Sequence, residues 1–268
     1  MMDNISSKRA EQQVAVTIPE YDQIPIDKYQ TRVIAFVDLL GFSQLIEDAE
    51  NGKRTESNIY SAIQLMYHVL FDFEANSPGN TSLRISQFSD SVVMSVYFKE
   101  LDGLILMIKH LRYIQQRLLE DYNILLRGGI TCGDLIHTNT TLMGPAMIEA
   151  YHMECDKDKA IYPRIIVDDT VLKLWNKGLE VFNATDVPAN LFMREDSDSY
   201  VYIDYLEDLD HELANDGQWF YDAIRELIDK NIYSTKPSIV QKYKWLEGKL
   251  KSSNLYARFG GVEDSLNK

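Results

Sequence analysis

Arg32-Val33-Ile34-Ala35-Phe36-Val37-Asp38-Leu39-Leu40-Gly41-Phe42-Ser43 is the stretch from which the rest of the chain can be read. Past Arg32 the run to Val37 is apolar on both faces and rich in β-branched side chains, which predicts a central strand covered on both sides. The run ends on Asp38, so a carboxylate projects from the strand end. The Leu-Leu-Gly turn that follows offers main-chain N–H groups, and such a turn can cradle phosphate oxygens.

Outward from this strand the apolar period changes. Over residues 55–74, Ile59, Ile63, Met66, Tyr67, Leu70 and Phe73 recur at steps of three and four, which places them on one helix face. Leu83, Ile85 and then Val92, Met94 and Val96 alternate around Ser89-Asp90-Ser91, predicting two tightly joined strands with Asp90 at the turn. Helical period returns over residues 101–122, and Ile124-Leu125-Leu126-Arg127-Gly128-Gly129-Ile130 predicts a strand whose glycines permit close backbone approach. The order β, α, β, β, α, β is the split βαβ arrangement of ferredoxin-like domains, an α+β fold. A helix is expected over residues 145–154, a strand over 164–168 and two aromatic-rich helices over 216–254, with Trp219, Phe220, Tyr221 and Trp245 in a core or interface. The expected division is an N-terminal arm at 1–28, a catalytic domain at 29–178 and a mostly helical extension at 179–268.

Composition narrows the function classes. In 268 residues, 27 basic against 41 acidic side chains give a formal charge of −14, which works against a sequence-independent grip on nucleic acid phosphates. An acidic protein that handles a polyanionic small molecule needs local positive charge, most simply a bound metal. Cys132 and Cys155 are the only cysteines, so a disulfide framework and a zinc site of the usual spacing are both excluded. A reducing cytoplasm is the expected compartment. The longest apolar stretch, residues 104–108, is too short to span a bilayer.

The split βαβ topology makes the first and third strands neighbours, which brings Asp38 and Asp90 to one spot. Paired carboxylates at strand ends suit Mg²⁺ or Mn²⁺, which prefer oxygen ligands and keep positions open for substrate phosphates. Taken singly, each has a plainer role, since Asp before Gly forms turns and Asp between serines solvates them. An Asp after a buried strand also occurs in aspartyl-phosphate enzymes, but those carry a second acid two positions on, where this chain has Leu40.

Phe36-Val37-Asp38-Leu39-Leu40-Gly41-Phe42 and Phe88-Ser89-Asp90 resemble the paired signature of class III nucleotidyl cyclases. Residues 126–133 and 144–154 are similar to that family's R-x-G-I-x-x-G strand and G-D-x-V-N-x-A-x-R-M-E helix. With Ile85-Ser86-Gln87 and Tyr162-Pro163-Arg164-Ile165-Ile166-Val167-Asp168, the set looks closer still to the pyrimidine cyclases of bacterial Pycsar antiphage systems. That resemblance implies conversion of UTP, or alternatively CTP, to a cyclic nucleotide messenger by a cytoplasmic homodimer with sites at the interface. It implies two Mn²⁺ (or Mg²⁺) ions on Asp38, Asp90 and the main-chain carbonyl of Leu39, with substrate contacts from Leu40, Gly41, Phe42, Arg127 and His152.

Departures are as informative. The lysine with which adenylate cyclases read adenine is replaced by Ser86, and the helix's base-reading aspartate by Pro145. The transition-state asparagine and arginine fall on Ile148, which cannot donate a hydrogen bond, and on His152. Arg127 or Arg84 offers alternative charge at the phosphates. These losses also support a non-enzymatic alternative, a degenerate cyclase-like domain that binds a nucleotide as a sensor.

Overall fold

The computed structural model describes residues 28–76, 82–156, 161–181, 193–207 and 217–260, so the arm expected at 1–28 lies, but for Lys28, outside the described residues. The expected central strand is β1, Gln30–Leu39, in which Val33 to Val37 and Leu39 are buried. It pairs antiparallel on one side with β3 (Ser91–Tyr97) and on the other with β4 (Leu126–His137). β2 (Arg84–Phe88) borders β3, and β6 (Ile165–Val167) runs parallel to β4, while β5 (Leu142–Met143) folds back on β4. The βαββαβ order is thus present, with α2 (Glu56–Asn76) and α3 (Leu101–Tyr122) as its helices.

Strand alternation divides the apolar side chains between two layers. Val33, Ala35, Val37 and Leu39 join Ala62 and Met66 of α2, Leu104, Met107 and Leu111 of α3, and Val171 and Trp175 of α5 (Asp169–Val181) in the main core. Ile34 and Phe36 face the other way and pack with Val93, Ala146 and Ala150 beneath α4 (Pro145–Cys155). Fully burying such a side chain stabilises the fold by roughly 1.5–3 kcal/mol. Close seating of α4 depends on Gly129, where an added Cβ would stand 2.4 Å from Cβ of Met153.

Two features depart from the sequence-based expectation. The turn after β1 leads at once into a short helix, α1 (Phe42–Glu50), entered through Gly41 at φ 79°, a left-handed conformation that glycine adopts without a Cβ clash. The sheet also continues past residue 178, because β8 (Val201–Ile203) pairs with β6 and β7 (Met193–Glu195) with β8. The division drawn at 178 therefore cuts through one sheet of strand order β2-β3-β1-β4-β6-β8-β7.

The remaining helices, α6 (Gly217–Asn231), α7 (Pro237–Lys251) and α8 (Asn254–Phe259), bury Phe220, Tyr221, Ile224, Leu246, Leu250 and Leu255 against Leu119 and Leu125. Trp245 is partly buried in this cluster, whereas Trp219 stands 74% exposed rather than in a core. No described helix is long and apolar enough to cross a membrane.

Candidate functional site

Asp38 lies opposite Ser91 of β3 and opposite Arg127 of β4 in the antiparallel register. β2 and β3 are joined by a two-residue turn, Ser89-Asp90, with Ser89 at φ 55°, as tight hairpins require. The N–H of Leu39 donates to the carbonyl of Asp90 at 3.3 Å. The strand end carrying Asp38 and the turn carrying Asp90 are thereby hydrogen-bonded neighbours.

Arg127 reaches across to Asp38, its Nε donating to Oδ1 at 3.1 Å and Nη2 to Oδ2 at 3.3 Å. Nη2 also lies 2.6 Å from Oε1 of Glu154, a buried carboxylate near the end of α4. One guanidinium thus bridges two acids contributed by a strand and a helix. Burial pushes the Asp38 carboxyl up to about 7, although Arg127 works in the opposite direction. Glu154 was not among the residues expected to take part, because only the packing of α4 over β4 brings it to Arg127.

The turn expected to cradle phosphate is partly committed elsewhere. The N–H of Leu40 donates to Leu125 O at 2.8 Å, so it is not a free donor as expected, and the Leu40 side chain packs against the cluster of α6, α7 and α8. Gly41 accepts the first helical bonds, from Gln44 and Leu45 N–H, so Phe42 begins a helix whose first two N–H groups, of Phe42 and Ser43, have no intrahelical acceptor. His152 and Ile148 are exposed on α4, Ile148 by 59%.

Ser86 belongs to a second network. Its Oγ lies 2.9 Å from Nε2 of buried His137, whose Nδ1 is 2.8 Å from Oγ of Ser95, and Arg32 Nε donates to that same oxygen at 2.8 Å. Burial, then Arg32 and Arg84, push the His137 pKa down to about 3, so the ring is neutral. The sequence carried no sign of this partner, since His137 lies 51 residues from Ser86.

The donor set fits a hard divalent cation. Asp38 at the end of β1 and Asp90 in the adjoining turn carry carboxylate oxygens only. Such donors suit Mg²⁺ or Mn²⁺, whose coordination water and phosphate complete. The raised pKa of Asp38 marks a buried acid whose charge a cation would relieve.

No protein-family model matches the chain, and no curated protein sequence does. Among solved structures, a bacterial light-regulated adenylyl cyclase is 15% identical with a TM-score of 0.40, covering 66% of this chain, which spans only 53% of it. The adenylyl cyclase CyaB from P. aeruginosa is 17% identical over 56% of this chain and 82% of its own, with a TM-score of 0.39. The guanylyl cyclase domain of the RhoGC fusion protein from Blastocladiella emersonii is 11% identical over 65% of this chain and 93% of its own, also at 0.39. At such scores the likeness says nothing of activity.

Proposed function

We propose that the chain is a divalent-metal-dependent nucleotidyl cyclase that converts UTP to 3′,5′-cyclic UMP and pyrophosphate, as a second messenger in antiphage defence. The observation that supports this is the register that sets Asp38 opposite Ser91, with the Leu39 N–H bonded to the Asp90 carbonyl, so that the main chains carrying the two acids are neighbours at one sheet edge. Two Mn²⁺ or Mg²⁺ ions on Asp38, Asp90 and the Leu39 carbonyl would supply Lewis-acid activation of the ribose 3′ hydroxyl and charge neutralisation at the phosphates. The 3′ hydroxyl gives its proton to water and its oxygen bonds to the α-phosphorus, while the bond from that phosphorus to the α,β-bridging oxygen breaks and its electron pair leaves with pyrophosphate.

The protein's own part is positioning. First-turn N–H groups of α1, at Phe42 and Ser43, point a helix N-terminus at phosphate oxygens. Arg127, fixed between Asp38 and Glu154, supplies a planar cation beside them. Ser86 offers a hydroxyl that both donates and accepts, which suits the carbonyl and imide edge of uracil and also the amino edge of cytosine. CTP is therefore the alternative substrate. A nucleotide sensor without turnover is the second reading, favoured by Ile148, which offers no hydrogen bond where the family's transition-state asparagine stands.

The same reading makes the protein a cytoplasmic homodimer, and exposed apolar side chains around α4 support the pairing. Phe88, Met143, Ile148 and Tyr151 are each close to half exposed, and Phe36 contacts both Phe88, at 6.2 Å between centroids, and Tyr151, at 5.5 Å. Such a patch marks an interaction surface. The decisive experiment incubates the protein with each of the four triphosphates and Mn²⁺. Cyclic UMP is expected; product from ATP or GTP alone would defeat the base assignment, and tight triphosphate binding without pyrophosphate release would favour the sensor.

A further inference from the structure

A serine hydroxyl can donate or accept, so Ser86 by itself leaves the choice between uracil and cytosine open. Its place in the fold suits contact with a base. Phe36 of β1 and Ser86 of β2 both pair with Val93, so the three form one row across the sheet, on the face beneath α4. Asp38 belongs to that same face, two residues further along β1. Ser86 is therefore displaced from Asp38 by two strand spacings, roughly 10 Å, and by two residues, roughly 7 Å. A nucleotide laid across the sheet with its phosphates at Asp38 brings its base towards Ser86.

The hydrogen bonds behind Ser86 run in one direction. Arg32 is buried and a guanidinium only donates, so its Nε gives a proton to Ser95 Oγ at 2.8 Å. The Ser95 hydroxyl is wholly buried and must place its own proton on an acceptor. The one acceptor it meets among the described residues is Nδ1 of His137, at 2.8 Å. Nδ1 is thus bare, and because the buried ring is neutral its single proton sits on Nε2, 2.9 Å from Ser86 Oγ. Ser86 accepts that bond, and its own proton is left for the open side of a half-buried residue. The opposite tautomer would strand the Ser95 proton in the interior, where an unmet donor is costly.

From this order of bonds we infer that His137 is a positioning residue that fixes Ser86 as a hydrogen-bond donor, and that the site thereby takes UTP in preference to CTP. Uracil carries a carbonyl acceptor where cytosine carries an amino donor. The Ser86 proton bonds to the carbonyl and has no acceptor in the amino group. The inference rests on the proposed cyclase site, with Ser86 at the base, and narrows that site to one pyrimidine.

The test compares kcat/KM for UTP and for CTP, with Mn²⁺, in the wild type, Ser86→Ala, His137→Leu and His137→Gln. The wild type is expected to favour UTP about 10- to 100-fold. Ser86→Ala and His137→Leu are each expected to lower that ratio about tenfold. His137→Gln, whose amide can accept from Ser95 and donate to Ser86, is expected to recover much of it. A histidine that only supports the fold would lower both rates together, so a ratio unmoved by His137→Leu overturns the inference, as does a wild type that does not prefer UTP. In both cases the cyclase reading stands. A wild type that cyclises neither triphosphate removes the proposed function and the inference with it. Should His137→Leu fail to fold, nitrogen-15 NMR of the wild-type ring decides: a proton on Nε2 with Nδ1 bare is expected, and a proton on Nδ1 refutes the role.

Discussion

Oγ of Ser86 on the outer strand β2 touches Nε2 of His137 at the far end of β4, across two intervening strands, at 2.9 Å. The contact places a neutral ring beneath the hydroxyl proposed to read the base, with Ser95 fixing the other ring nitrogen at 2.8 Å.

That ring makes the fold sensitive to acid. The His137 pKa is about 3 in the folded chain against roughly 6.5 unfolded, so the unfolded state binds the extra proton between those values. Its stabilisation is complete above about pH 6.5 and is lost as pH falls toward 3. Urea unfolding of wild type and His137→Gln is expected to show the wild type's advantage shrinking by about 2–3 kcal/mol between pH 7.5 and 4.5. A gap that stays constant would mean that the ring titrates normally.

Asp38→Asn and Asp90→Asn are each expected to reduce Mn²⁺-dependent cyclic nucleotide formation to about 1% of wild type or less, with circular dichroism unchanged. Asp90 is the cleaner test, because Asp38 also anchors Arg127. Full turnover in either variant removes the proposed mechanism.

Gly129→Ala inserts a methyl group 2.4 Å from Met153 Cβ, and α4 must lift to accept it. A loss of about 1–3 kcal/mol in chemical denaturation is expected. The same displacement would pull Glu154 from Arg127, so turnover should fall further than stability.

Asp196→Ala removes the shared acid of Arg164, Trp245 and Lys249, leaving the buried guanidinium with Asp198 as its remaining carboxylate. Burial works to raise this carboxyl, yet Lys249, Trp245 and the Ser197 N–H hold it down at about 2. A cost of about 1–3 kcal/mol is expected, read as a lowered denaturant midpoint.

Ile148→Glu places a charge on the exposed face of α4. Sedimentation is expected to show a dimeric wild type and a monomeric variant, with turnover lost in parallel. A wild type that sediments as a monomer would refute the shared-site arrangement.

β1 was legible because its run is apolar on both faces, and the meeting of its end with the Asp90 turn followed from strand order alone. Position in the sheet is a property of topology, which periodicity reveals. Bridges between elements were not legible: Glu154 meets Arg127 only through the seating of α4, and His137 meets Ser86 only through register. α1 escaped notice because its nine residues give too short a period, entered through a glycine that reads as a plain turn. β7 and β8 escaped because strands of three residues carry no alternation to detect.

The apolar cluster that joins Leu40, Leu119 and Leu125 to Phe220, Leu246 and Leu250 sets how this protein can be cut and recombined. A fragment ending at residue 178 would keep every signature motif intact and still present raw leucine surface to water behind Asp38. Chimeras that exchange the signature segment between homologues therefore have to carry the terminal helices along as its inseparable backing.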